Sequence, residues 1–111
     1  MSTQPNYEDA KLILRLYDMR REAKLREARE WFAANFKFQT LDEAMQACPP
    51  GSSMNAYMRM VLSYWEMAAS FVARGVLNKD LFYESGREIL FVWARVEHML
   101  PAIREAYHLT G

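Results

Sequence analysis

The chain has 111 residues, 51% hydrophobic and 14% aromatic, so it fits one domain that can fold without a disulfide or structural metal, and it is not a disordered segment. Fourteen Lys and Arg balance fourteen Asp and Glu, eight of each sign through Asn55 and six of each after it, which argues against a basic face for nucleic acid. The single Cys48 closes no internal disulfide, residues 1–9 are polar and lack a signal-peptide pattern, and the most membrane-like stretch, residues 60–73, is too short and carries Glu66. The expectation is a cytoplasmic protein with no membrane span.

Asn6 is a helix cap, and Glu8 and Asp9 suit the positive end of a helix that starts near Tyr7. Apolar Ala10, Ile13, Leu14 and Tyr17, with Leu12, Leu16 and Met19, make a broad face and predict packing on more than one side. Residues 18–29 are dominated by charge, which predicts a break near Arg21. A second helix carries Leu25, Ala28, Phe32 and Phe36 on one side, pairs Glu22, Arg26, Arg29 and Glu30 at helical spacing on the other, and ends at Phe38. Thr40 with Glu43 reads as a capping box for a short helix over Leu41–Ala47, stopped by Pro49, Pro50 and Gly51.

Ser52 or Ser53 then caps a central helix in which Met54, Tyr57, Met58, Val61, Leu62, Trp65, Ala68, Ala69 and Val72 keep helical spacing. Met60, Tyr64, Met67 and Phe71 cover most of the remaining circumference, leaving Arg59, Ser63, Glu66 and Ser70 as a polar edge, the pattern of a buried helix. Gly75 is a left-handed C-terminal cap and Asn78 caps the next helix. From Lys79 to about Leu109, Phe82, Ile89, Trp93, Val96, Leu100, Ile103 and Tyr107 fall at bundle spacing. Gly86 lies on the same stripe, where the missing side chain admits a close neighbour, and Pro101 kinks or splits the helix. With no strand alternation and no repeat, residues 1–111 are predicted to form one compact all-α antiparallel bundle of about four to six helices, with a long, kinked C-terminal helix.

The stretch Tyr64-Trp65-Glu66, then Arg74-Gly75-Val76-Leu77, Asp80-Leu81, Trp93 and Pro101 to Arg104, together with the arginine-bearing segment 14–29, resembles a family of small bacterial all-helical proteins of unknown function. In that family an aromatic-Glu helix is followed by a glycine turn and a long C-terminal helix. The resemblance covers most of the chain and implies a fold rather than an activity. It also implies an added membrane segment in many members, from which this chain departs.

Among individual residues Glu66 stands out, because a carboxylate between Trp65 and Met67 in the most apolar helix calls for a partner such as Arg15, Arg20, Arg59 or Arg87. It reads first as a structural ion pair or a half-exposed carboxylate, and with Trp65 and Trp93 as a candidate ligand site. No inward carboxylate lies at Glu-x-x-His spacing, and His98 and His108 have no ligand three or four residues away, so no metal or cofactor is expected. Cys48 reads as a free loop thiol, and no nucleophile elbow, phosphate loop or dinucleotide fingerprint is present, so no catalytic residue is assigned and the chain reads as a non-enzyme. Arg15, Arg20, Arg21, Arg26 and Arg29 have the chemistry to grip an anion, but interleaved acids neutralise that field. Eight Met and fifteen aromatics exceed what one small core needs. The excess predicts contacts with another copy or another protein through the first and final helices. The alternative is a small apolar or anionic ligand near Glu66.

Overall fold

The computed structural model describes residues 4–106, which leaves Tyr107 and His108 outside the described residues. Caps decide where most helices begin. Asn6 opens α1 (Tyr7–Arg20) with a reciprocal box: its side chain accepts from the Asp9 N–H and the Asp9 carboxylate accepts from the Asn6 N–H, both at 2.9 Å. The charged run does break at Arg21, and α2 (Ala23–Asn35) comes next, with Glu22 accepting from the Leu25 N–H. Thr40 caps α3 (Leu41–Ala47), although the Glu43 carboxylate reaches the Gln39 N–H rather than closing the expected box on Thr40. Ser52 caps α4 (Ser53–Ala73) through the Asn55 N–H.

The second helix stops at Asn35, short of Phe38. Phe36 instead stacks on Phe32 at 4.5 Å and Phe38 meets Phe36 edge-on at 5.1 Å, so aromatic packing draws the chain back over the helix end. At the end of α4, Gly75 adopts φ +77°, the left-handed turn that lets the N–H groups of Val76 and Leu77 reach back to the Phe71 carbonyl.

The C-terminal stretch differs most from the expected long helix. It divides into α5 (Lys79–Ser85), α6 (Glu88–Val96), a 3-10 turn (Glu97–Met99) and α7 (Leu100–Ala106). Gly86 ends α5 by bonding the Phe82 carbonyl, and although the Trp65 ring is its neighbour, a Cβ there would meet that ring at an ordinary contact distance of 3.6 Å, so no close approach requires the glycine. Pro101 is the second residue of α7, where a first-turn N–H has no intrahelical partner in any case, so proline is harmless there. The interruption falls one turn earlier, in the 3-10 segment.

All described regular structure is helical, and the strongest packing is between α2 and α4. Leu25, Ala28, Phe32 and Phe36 of the α2 side are buried with Val61, Tyr64, Trp65 and Ala68 of α4. Burying each larger apolar side chain among these contributes about 1.5–3 kcal/mol, and the alanines let the backbones approach. Leu16 of α1, Phe82 of α5 and Val92 and Val96 of α6 join the same core. The molecule measures 44 × 34 × 20 Å, so its short axis is about two helix diameters and every helix keeps a face toward solvent.

One carboxylate joins elements remote in sequence. Asp9, buried in α1, accepts from Asn6 with Oδ2 and from the Asn78 N–H with Oδ1 at 2.8 Å, tying the start of α1 to the cap of α5. Replacing Asp9 with Ala strands both N–H donors and is expected to lower unfolding free energy by about 2–4 kcal/mol, read by urea denaturation. Asp9→Asn, which keeps only one acceptor oxygen, should fall between the two.

Candidate functional site

The residues singled out from the sequence do not converge. Trp65 is buried, Trp93 is 48% exposed, and Glu66 is exposed on the polar edge it shares with Arg59, Ser63 and Ser70. A carboxylate in water needs no ion-pair partner, and among the described residues Glu66 forms no ion pair with Arg15, Arg20, Arg59 or Arg87. The ion pair found among the described residues is Arg29–Glu88, at 2.5 Å. Trp65 carries the one buried side-chain donor left without a hydrogen bond among the described residues, its indole Nε1–H. The Arg20 guanidinium lies 5.7 Å from the Trp65 ring.

The geometry with most character lies instead between α2 and α6. Arg29 of α2 donates through Nε and Nη2 to both Glu88 oxygens, at 2.5 to 3.2 Å, and through Nη1 to the Arg20 carbonyl at 3.1 Å. Two turns further on, Arg95 of α6 donates to the Phe36 carbonyl at 2.6 Å with its guanidinium over the Phe91 ring at 4.3 Å. The exposed His98 ring places Nε2 2.8 Å from the Phe38 carbonyl. These three ties are offset by 59, 59 and 60 residues, so α6 runs beside α2 in the same direction. Long arginines, rather than close helix packing, bridge the two.

Beneath those arms is a cleft of about 510 Å³ with Phe32, Ala33, Val61, Phe91 and Val92 on its apolar side and Arg26, Arg29, Glu30 and Glu88 at its rim. Glu88 holds the Arg29 guanidinium and raises its pKa, with burial opposing, so this arginine is committed. The Arg26 side chain makes no hydrogen bond or ion pair among the described residues. A second opening, about 440 Å³ and shallow, lies over Met19, Leu25, Met60, Tyr64 and Met67, and a small one of about 30 Å³ touches Trp65 and Gly86. Glu66 and Trp93 line none of the three.

Two helix faces stay uncovered. On α6, Leu90 is 55% and Phe91 38% exposed beside Trp93, while Val92 and Val96 point into the core. On α1, Tyr7, Leu14 and Tyr17 are 76%, 65% and 47% exposed. Cys48, expected as a loop thiol, ends α3 and is fully buried, and burial pushes its pKa up, away from the reactive thiolate. No group of His, Cys, Asp and Glu among the described residues has the arrangement to hold a metal ion.

Residues 7–108 match a family described as a domain of unknown function, DUF4760. The chain belongs to the DUF4760 family. No curated protein and no solved structure matches it. Membership agrees with the resemblance drawn from the aromatic-Glu helix and glycine turn, and it assigns this DUF4760 domain no activity. Among the described residues no helix is long and apolar enough to cross a membrane.

Removing the Arg29 fork should loosen α6 selectively. Arg29→Ala is expected to cost about 1–3 kcal/mol and to speed amide exchange over residues 88–96 more than in α4, measured by hydrogen exchange with mass spectrometry. Arg29→Lys should not restore protection, because an ammonium lacks the two-pronged geometry. The buried Tyr64 hydroxyl, which donates to the Leu16 carbonyl at 2.5 Å, provides a pH test. Burial raises its pKa, opposed by Arg20 and Arg29, so the folded state holds this proton more tightly than the unfolded chain. Its contribution is intact below the ordinary tyrosine value of about 10 and is lost as pH rises beyond it. Tyr64→Phe should therefore flatten the alkaline fall in denaturation midpoint.

Proposed function

We propose that this DUF4760 domain is a non-enzymatic helical interaction module that self-associates through apolar faces its own fold leaves uncovered. One observation carries the reading: of the ten large exposed apolar side chains among the described residues, four lie on α1 (Tyr7, Leu14, Tyr17, Met19) and three on α6 (Leu90, Phe91, Trp93), while Met54, Val76 and Tyr83 are placed singly elsewhere. Scattered exposure is ordinary, whereas contiguous apolar surface marks contact sites. Trp and Tyr at the centre of such faces are the residue types that anchor interfaces. A reducing, cytoplasmic setting fits a lone, unpaired cysteine.

A second reading, a small apolar or anionic ligand, is favoured by the α2–α6 cleft rather than by Glu66. Its volume lies within the range of small-molecule sites, and Arg26 stands at its rim. Native and denatured mass spectra of the same sample separate the two. An assembly of bare chains supports the interaction module, whereas a monomer with extra mass that is lost on denaturation moves the ligand to first place. Sedimentation of Leu90→Gln and Trp93→Gln, whose side chains face solvent, should show weakened assembly with an unchanged melting temperature of the monomer. A chain that is monomeric at every concentration and carries no added mass overturns both readings.

A further inference from the structure

The smallest of the three openings differs from the other two in the charge of its wall. The α2–α6 cleft sets Glu30 and Glu88 beside its arginines, and the shallow opening over the methionines has Glu22 and no cation. The opening of about 30 Å³ has Arg20 and no carboxylate. Helical spacing brings the cation there. Ile13, Leu16, Tyr17 and Arg20 share one stripe of α1, so Arg20 lines the same opening as Trp65 of α4 and Ser85 of α5.

Two donors at this opening lack an acceptor. Arg20 is half-buried, and its guanidinium makes no hydrogen bond or ion pair among the described residues, unlike Arg29 and Arg95. A cation in the last turn of α1 suits the negative end of the helix dipole, but it would serve that role equally well from water. Instead it lies 4.9 Å from the Tyr17 ring and 5.7 Å from the Trp65 ring, which holds the side chain in place and gives its N–H groups no acceptor. Trp65 has the same need, since its buried indole Nε1–H has no partner among the described residues. The hydroxyls of Tyr64 and Ser85 in the same wall are committed to the Leu16 and Leu81 carbonyls.

We infer that this opening is a site for a small monoanion, of the size of chloride or formate, which accepts from the Arg20 guanidinium and from the Trp65 indole N–H. The volume suits one small ion rather than an organic phosphate. An unpaired guanidinium with no carboxylate beside it attracts an anion, and a buried N–H is costly until an acceptor reaches it. One charged and one neutral donor give an affinity of about millimolar. The bound anion joins α1, α4 and the end of α5, so it is a structural ligand that stabilises the fold in proportion to its concentration. The site is independent of self-association and of the α2–α6 cleft.

The indole N–H signals of the isotope-labelled full chain test the site in nuclear magnetic resonance spectra. Trp31→Phe and Trp93→Phe identify the Trp65 signal by elimination. Sodium chloride, and separately sodium formate, is titrated against sodium gluconate at constant ionic strength, gluconate being too bulky for an opening of this size. The Trp65 signal should shift saturably with both small anions, and the melting temperature should rise in parallel. Arg20→Gln should weaken the titration at least about tenfold, and Arg20→Lys, which keeps the charge without the fork, should weaken it less. Arg15→Gln removes the same charge from an exposed position of α1 and should leave the titration unchanged. Circular dichroism checks that each variant is folded. A Trp65 signal that moves with neither anion overturns the site and leaves the opening to water. A shift that follows ionic strength whatever the anion, or that persists in both folded Arg20 variants at wild-type strength, overturns it as well.

Discussion

The packing of α2 against α4 is the constraint on which the rest of this fold depends. A 21-residue helix that is apolar around most of its girth has to be covered, and α2 supplies the largest cover with Leu25, Ala28, Phe32 and the adjoining Phe36. The other elements take the area left over. α1 enters with Leu16, whose carbonyl accepts the Tyr64 hydroxyl, and α5 with Phe82 against Trp65. α6 contributes Val92 and Val96 and is otherwise held off by a cleft that arginines span. Polar ties thus take over where apolar contact thins out. Asp9 locks the α1–α5 corner and Arg29 with Arg95 locks α6, each at a junction between segments that a continuous helix would not have needed.

Much of this was legible because capping chemistry is local. Asn6, Thr40, Ser52 and Asn78 each bond a backbone N–H three residues on, and Gly75 supplies the one conformation that ends α4, so four starts and a stop come from residue type alone. The division of residues 79–106 was not legible. Phe82, Ile89, Val96 and Ile103 keep helical spacing across it because each segment faces the same core. Periodicity therefore reports which side is buried and is silent on whether the backbone is continuous. The break falls at Gly86, whose backbone lies near the Trp65 ring some twenty residues earlier in the chain, and spacing alone does not locate it.

The same distinction separates what could be read of the site. The polar edge of Arg59, Ser63, Glu66 and Ser70 is a local pattern, and it already contained the answer for Glu66: a residue on that edge keeps its water. Trp93 shares the heptad stripe with Ile89 and Val96, but a nine-residue helix tied at both ends presents only a narrow face to the core, and Val92 and Val96 take it. Arg29 was the opposite case. Within a run of alternating charges it reads as one more surface residue pairing at i and i+4, and nothing nearby distinguishes it from Arg26. Its partner is 59 residues away, so the distinction exists only once α6 lies beside α2.

An uncovered face also bears on how the fold is held. In a molecule two helices thick, a helix with few core contacts sits at the low end of local stability, and α6 combines two inward valines with two polar anchors. Covering Leu90 and Trp93 would add apolar burial to a helix that has two inward valines, so part of the binding energy of a partner on that face would be spent on ordering α6. α1 differs, since the box at Asn6 and the Asp9 clasp already hold it rigid, and contact there needs little reorganisation. Two faces of similar chemistry therefore have different thermodynamic character. Association through α1 leaves the folding stability of the rest of the chain nearly independent of its partner, whereas association through α6 links assembly to the order of an element held largely by polar ties.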